Sequence, residues 1–292
     1  MFTISQLQQF SGVKAHTIRM WEQRYNALQP NRSEGNTRYY DSTQLRRLLN
    51  IVSLMDTDYK VSELCAMDDK KMFTILEKQH KDYLSKFEAH DYFITQLIAA
   101  GMIFDETHFE KIFSNCLLCF GMNQTYINII YPMLNRIGLM WLTDTISPNY
   151  EHFISSMVKQ KFFAAIDALP PAKYPNDTWL LFLPENEFHE IGLLFSNYTI
   201  RQAGRKVIYL GANLPLDSLI NAVKQISPNH LFFFCGHNNS LENSQLYLNT
   251  LRKSFSNIKI HIAGDERLIS KLSFDKKVDW ISSIDDLRNQ LC

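Results

Sequence analysis

The 292-residue chain carries 30 lysines and arginines against 30 aspartates and glutamates, so no global field draws it to nucleic acid or membrane, and any basic footprint has to be local. That length supports two or three domains with their own cores and excludes a small stapled module. Five scattered cysteines suit reduced thiols rather than a disulfide framework. The first residues lack the pattern of a secretory signal, and no apolar run reaches the ~18 residues a membrane span needs, so the expectation is a soluble cytoplasmic protein with no membrane partner.

Residues 1–75 are polar, basic and punctuated by turn residues. Lys14, Arg19, Arg24, Arg32, Arg38, Arg46 and Arg47 outnumber Glu22, Glu34 and Asp41 by four, which concentrates positive charge in the first fifty residues of a neutral chain. Thr3 is placed to cap a short helix bearing Ile4, Leu7 and Phe10. Ser11-Gly12-Val13 then turns into a second helix over about 14–25, with Ile18 and Trp21 facing inward. This is helix-turn-helix spacing. The polar loop 30–40 suits a wing, and Asp41 opens a further helix carrying Leu45, Leu48, Leu49 and Val52. On the exposed face of the second helix, Lys14, His16 and Thr17 can reach base edges in a major groove. The competing reading of these charges is a solvated helix face.

Ile4-Ser5-Gln6-Leu7, Gly12-Val13, the run from Thr17 to Tyr25, and Arg38-Tyr39-Tyr40 stand at offsets that make residues 2 to about 70 similar to the winged helix-turn-helix of the MerR family. The resemblance implies that double-stranded operator DNA is a partner, and that Arg19, Arg24, Arg38 and Tyr39 grip phosphates and fix register. One of the adjacent pair Tyr39-Tyr40 is expected to pack inward.

Residues 76–172 read as helices throughout, near 92–98, 109–113, 126–141 and 150–169, with apolar residues at three- and four-residue spacing as in a four-helix bundle. Cys116-Leu117-Leu118-Cys119 has the form of a CxxC metal or redox motif. Within an apolar helix, with no second ligand pair following, it reads instead as one buried face.

After Pro170-Pro171 and a linker at 173–177, strand runs at 179–183, 206–210, 230–235, 259–263 and, more weakly, 278–281 alternate with helical stretches. The alternation predicts βαβ crossovers and a five-stranded parallel sheet of flavodoxin or Rossmann-like type, covered on both faces. The fold class is thus α plus α/β, in three domains: 1–75, 76–172 and 173–292.

Within the third segment, His189 falls on the loop at the carboxyl end of the first strand, where open α/β sheets bind ligands. Glu187 is placed to hold one imidazole nitrogen, and Gly192 lets the following helix start close to a large ligand. Glu187-x-His189-x-x-Gly192 resembles the E/D-x-H-x-x-G signature of cobalamin-binding modules, which implies His189 as the lower axial ligand of cobalt. Upstream, Trp141 is followed after nine residues by Glu151-His152, similar to the W-x9-E-H pattern of CarH/LitR-type cobalamin photoreceptors. That resemblance implies adenosylcobalamin or methylcobalamin as cofactor, with Trp141 stacked over its upper face and Glu151 and His152 hydrogen-bonded to it. The stretch Tyr209-Leu210-Gly211-Ala212-Asn213-Leu214-Pro215-Leu216 is similar to the loop after the second strand of such modules, and Ala263-Gly264 stands where they carry Gly-Gly beneath the nucleotide tail.

Two departures stand out. Where the family offers a hydroxyl at the end of the third strand, this chain reads Cys235-Gly236-His237, with Ser240 farther along; and where light-sensing members place a histidine after the tryptophan, this chain has Leu142, which cannot ligate a metal. His80, His90 and His108 are the candidates to replace it.

Together these features predict a one-component MerR-like transcriptional repressor, not an enzyme, whose operator binding and assembly are controlled by a bound cobalamin, with light as a candidate signal. One chain carries one recognition helix, so a pseudo-palindromic operator requires a homodimer or homotetramer. The rival readings are a corrinoid methyl-carrier or methyltransferase module, and a regulator whose sensor half no longer binds cobalamin.

Overall fold

A computed structural model describes residues 2–32, 36–55, 59–72, 74–75, 88–142, 146–236, 240–274 and 276–291. Residues 33–35 of the predicted wing loop, His80 and His237 lie outside the described residues. The chain divides into two compact units, Met1–Val158 and Lys159–Cys292.

The first unit opens with α1 (Ile4–Ser11), whose N-terminus is closed by a capping box. The Thr3 side chain accepts from the Gln6 amide, and the Gln6 side chain accepts from the Thr3 amide. Gly12, in the left-handed region at φ 74°, ends α1 and makes the turn. Helix α2 (Ala15–Tyr25) buries Ile18 and Trp21 as its spacing predicts. Strands β1 (Asn31–Arg32) and β2 (Arg38–Tyr39) pair antiparallel as a wing, and of the two adjacent tyrosines Tyr40 is the buried one. Asp41 caps α3 (Ser42–Ser53) by accepting from the Gln44 amide, and α3 buries Leu45, Leu48 and Leu49. A short α4 (Val61–Ala66) follows.

The rest of this unit is helical. Helices α5 (Glu88–Met102) and α6 (Glu106–Thr125) precede a π-turn at Tyr126–Ile130, then α7 (Tyr131–Leu142) and α8 (Pro148–Asp167), which runs on into the second unit. The sequence predicts one unbroken helix over 126–141; instead its first turn is π-helical, and Gly121 upstream sits at φ 69° and ψ 168°, a conformation open to glycine that breaks α6. Cys116 is buried, with burial pushing its thiol pKa up, as suits a core residue rather than a reactive or metal-binding one.

In the second unit, β3 (Tyr174–Pro184), β4 (Arg205–Leu214), β5 (His230–Cys235), β6 (Lys259–Gly264) and β7 (Val278–Trp280) form one parallel sheet in the order β4-β3-β5-β6-β7. Helices α9 (Ile191–Gln202), α10 (Leu216–Ile226), α11 (Leu241–Ser254), α12 (Glu266–Ile269) and α13 (Ile284–Asn289) connect and cover it. The order reverses between β3 and β5, the position where ligands enter open sheets of this kind. Residues 174–177, predicted as linker, are the first part of β3. Their polarity belongs to an ion-pair network, in which Asp177 lies 3.1 Å from Arg205 and 3.1 Å from the His230 ring.

That network reaches the core. Trp179 stacks on His230 at 4.2 Å and on His261 at 4.6 Å, and the His230 Nδ1 and His261 Nε2 atoms are 2.9 Å apart. His261 is fully buried; burial, then the nearby His230 and Lys259, push its pKa down to about 3. It is therefore neutral in the folded protein, whereas in the unfolded chain it protonates below about pH 6.5. The stability it contributes is complete above that value and is lost as pH falls toward the folded value. The unfolding transition of the second unit should weaken by about 1.4 kcal/mol per pH unit below about pH 6 for this one proton. Denaturant titrations at stepped pH test this, and His261→Phe should flatten the acid limb.

Candidate functional site

The carboxyl edge of the sheet is assembled around a buried carboxylate. After β3, the chain turns through Asn186 in the left-handed region, and the Glu187 side chain folds under the loop with 4 % of its surface exposed. Its Oε1 accepts from the backbone amides of Phe188 (3.0 Å) and His189 (2.9 Å) and lies 2.6 Å from the His189 Nδ1. Burial acts to raise the Glu187 pKa, but the hydrogen bonds and charge of His189 outweigh it and hold the carboxyl below its ordinary value. An ionised Glu187 places the ring proton on Nδ1, which leaves the ligating lone pair on Nε2. The imidazole itself is 75 % exposed, and Phe188 beside it is exposed as well.

Neighbouring loops lock this arrangement. The Asn213 amide donates to the Glu187 carbonyl at 3.0 Å, and the Asn213 side chain accepts from the Asn186 amide at 2.9 Å, tying the β3 and β4 loops together. Glu190, at the start of α9, accepts from the Tyr209 hydroxyl at 2.9 Å and pairs with Lys159 at 3.6 Å. Gly192 faces the Phe234 ring, and a Cβ there would stand 3.0 Å from it. Gly236 is tighter, since a Cβ would fall 1.5 Å from the Glu187 Oε2. At the end of β6, Gly264 has φ 132°, and a Cβ would meet the Cys235 carbonyl at 2.2 Å. The Cys235 thiol is buried and donates to the Ser244 hydroxyl at 3.4 Å, while Ser240 serves as the N-cap of α11. The departure at the end of the third strand therefore stands, and the hydroxyl that Cys235 meets is that of Ser244, one helical turn beyond Ser240.

In the first unit, Glu151 and His152 occupy the first turn of α8, 3.4 Å apart, with the His152 side chain 77 % exposed. Trp141 and Leu142 are the last two residues of α7. His90 packs edge-on to Phe120, and the His108 Nε2 lies 3.3 Å from the Gln96 Oε1.

In the head, Lys14, His16, Arg19 and Arg24 are exposed, and His16, Arg19 and Arg24 share the side of α2 opposite Ile18 and Trp21 with Met20 and Gln23, which sequence reasoning passed over. Thr17 is half-buried beside His16. Arg38 is half-buried and bound 3.3 Å from Glu22, which also accepts from the Tyr40 hydroxyl, so the wing is pinned to α2 by one carboxylate. Tyr39 is half-buried.

Residues 2–69 match the MerR HTH family regulatory proteins. Over most of the chain there is similarity to two Myxococcus xanthus proteins. One is the HTH-type transcriptional repressor CarH, 25 % identical over 256 residues, covering 87 % of this chain and 85 % of that protein. The other is the HTH-type transcriptional repressor CarA, 24 % identical, covering 77 % and 73 %. Among solved structures, the monomethylamine corrinoid protein of Methanosarcina barkeri aligns with a TM-score of 0.53 at 12 % identity, over 67 % of this chain and 95 % of that one, which establishes a shared fold. Residues 2–69 are thus a MerR-type helix-turn-helix region, and the likeness to the corrinoid protein shows a shared fold that includes a parallel sheet with its helices.

Gly236 carries a testable constraint. Because three hydrogen bonds hold Glu187, Gly236→Ala cannot be relieved by a simple side-chain swing and should cost about 1–3 kcal/mol. Glu187→Ala in the same chain should recover much of that loss, a non-additivity readable by denaturant unfolding of the four proteins in the cycle.

Proposed function

We propose that this protein is a DNA-binding repressor whose operator affinity and assembly are set by a cobalamin held at the carboxyl edge of its sheet. The observation that carries this reading is the buried Glu187 aimed at the exposed His189 imidazole, in a chain whose head is a MerR-type domain. The donor set fits a nitrogen ligand to cobalt, and Gly236 and Gly264 let the Glu187 carboxylate and the Cys235 carbonyl pack where any Cβ would collide. His189 would hold cobalt through Nε2, with Glu187 fixing its tautomer. Cys235, Ser244 and Gly264 would line the nucleotide tail, and Trp141, Glu151 and His152 would meet the upper face. An adenosyl or methyl cobalamin supplies a light-sensitive bond to carbon there. With Leu142 in place of a histidine, the chain offers no ligating side chain at that position. Lys14, His16 and Thr17 are assigned to base edges, and Arg19, Arg24, Arg38 and Tyr39 to phosphates and wing geometry, on a homodimer or homotetramer. No helix among the described residues is long and apolar enough to cross a membrane, in keeping with a cytoplasmic regulator. The names of both curated relatives favour a regulator over an enzyme.

Titration with adenosylcobalamin or methylcobalamin, followed by absorbance, should give a histidine-ligated spectrum in the wild type. Affinity should fall sharply in His189→Ala and about 10- to 100-fold in Glu187→Gln. An unaltered spectrum and affinity in His189→Ala would overturn the ligand assignment.

DNA binding is tested by gel shift across salt concentrations. Arg19→Ala and Arg24→Ala should each weaken binding to all sequences and lower the salt slope by about 0.9 for each phosphate that is no longer neutralised. Unchanged slopes in both would move the DNA surface elsewhere.

A further inference from the structure

The helix-turn-helix of the head is completed by a residue from outside it. The last carbonyls of a helix have no partner within it. At the end of α1, the Leu7 carbonyl receives the Ser11 hydroxyl and the Gln8 carbonyl receives the Gly12 amide. The Phe10 carbonyl is bonded by the Arg136 guanidinium of α7 in the bundle. The same Nη2 would be 3.8 Å from a Cβ on Gly12, so Arg136 lies over the turn that sets the angle between α1 and α2. Burial depresses its pKa, with Asp91 opposing, so a charged group has been drawn out of water to make this contact.

Helix α7 also carries Trp141 five residues on, roughly 7.5 Å along the axis. A separate tie holds the head to α5. The Gln96 Nε2 is 3.3 Å from the Asn50 Oδ1 and 3.1 Å from the Ser53 Oγ of α3, with Gln96 and Asn50 both buried. The two ties approach the head on different helices, and between α5–α6 and α7 the chain is interrupted at Gly121 and at the π-turn Tyr126–Ile130. Helix α7 is therefore not a rigid continuation of α6.

We infer that Arg136 is the positioning residue that passes the state of the cobalamin site to the DNA-binding head, by moving with α7 and shifting the turn at Gly12 while Gln96 holds α3. The inference rests on the reading of the protein as a cobalamin-controlled DNA binder. In this arrangement Arg136 touches neither DNA nor cofactor. Its loss should uncouple the two sites and leave each competent.

The experiment uses the full chain as wild type, Arg136→Gln and Arg136→Lys. Adenosylcobalamin affinity is read by absorbance titration, operator affinity is measured with and without adenosylcobalamin, and amide hydrogen exchange is followed at residues 10–13. In the wild type, the ratio of the two operator affinities should fall in the roughly 5- to 150-fold range of allosteric couplings. In Arg136→Gln that ratio should drop to within about twofold of unity, adenosylcobalamin affinity should hold within about twofold, and residues 10–13 should exchange faster. Arg136→Lys, which keeps a cation and a donor, should retain part of the ratio and guards against a folding defect. A wild-type ratio preserved in Arg136→Gln, or unchanged exchange at residues 10–13, overturns the inference alone. A wild-type ratio near unity overturns the regulatory reading and this inference with it.

Discussion

The Glu187 carboxylate is charged and almost completely enclosed, and the architecture at the open end of the sheet is arranged to tolerate it. A carboxylate removed from water without partners would be prohibitively unstable; here two backbone amides and an imidazole replace the lost hydration. Those partners in turn fix neighbouring choices. The loop has to fold back on itself, so Asn186 takes a left-handed conformation, and Asn213 pins the loop carbonyl from the next strand. Residue 236 has to lack a Cβ, because the carboxylate occupies that volume. The result is an imidazole whose orientation and tautomer are set by the fold itself, and a group ordered in this way loses little freedom when it makes a further contact.

The opposite end of the same sheet follows a different logic. Asp177 with Arg205 and Lys259 with Asp279 form charge pairs beside Trp179 and the rings of His230 and His261, which burial keeps uncharged, and they reach the C-terminal residues through Lys259 to Gln290 and Arg205 to the Leu291 carbonyl. Polar groups at this depth add specificity of register more than net stability. The β5–β6 register that sets His230 against Lys259 is the one that brings Cys235 opposite Gly264 at the carboxyl edge. A slip of one residue would separate the two glycine-lined strand ends and bury the wrong faces of both strands.

Much of this was legible in the sequence because it depends on short-range pattern. Period-two and period-three-to-four apolar spacing located the strands and helices, and Thr3, Gly12 and Asp41 marked helix ends through capping chemistry that acts over three residues. His189 and Glu187 are two positions apart, so their pairing can be inferred from spacing. Cross-element contacts were not legible. Gly236 reads as an ordinary loop glycine until Glu187 is seen occupying its side-chain volume, and Ser244 meets Cys235 only because α11 packs on β5. Arg38 looks like a solvent cation; only the fold brings Glu22 beneath it. The linker reading at 174–177 failed for the same reason, since Asp177 is satisfied by residues from β4 and β5.

The head is electrostatically modest for a DNA-binding module, and that bears on how a ligand could control it. Glu22 neutralises Arg38, and Arg47 is spent on Asp69 and the carbonyls of Ala27, Cys65 and Met67, so part of the local charge excess serves the fold. Few cations remain on the exposed side of α2, and each phosphate contact contributes a limited, salt-sensitive increment. A single head with few such contacts binds weakly, whereas two heads held at half-site spacing gain from effective concentration far more than either contact set supplies. A sensor that alters the angle of one turn, or the pairing of two chains, then changes operator occupancy steeply without altering any group that touches DNA. In a chain of zero formal net charge, whose recognition face is small, control through geometry and assembly is the stronger lever.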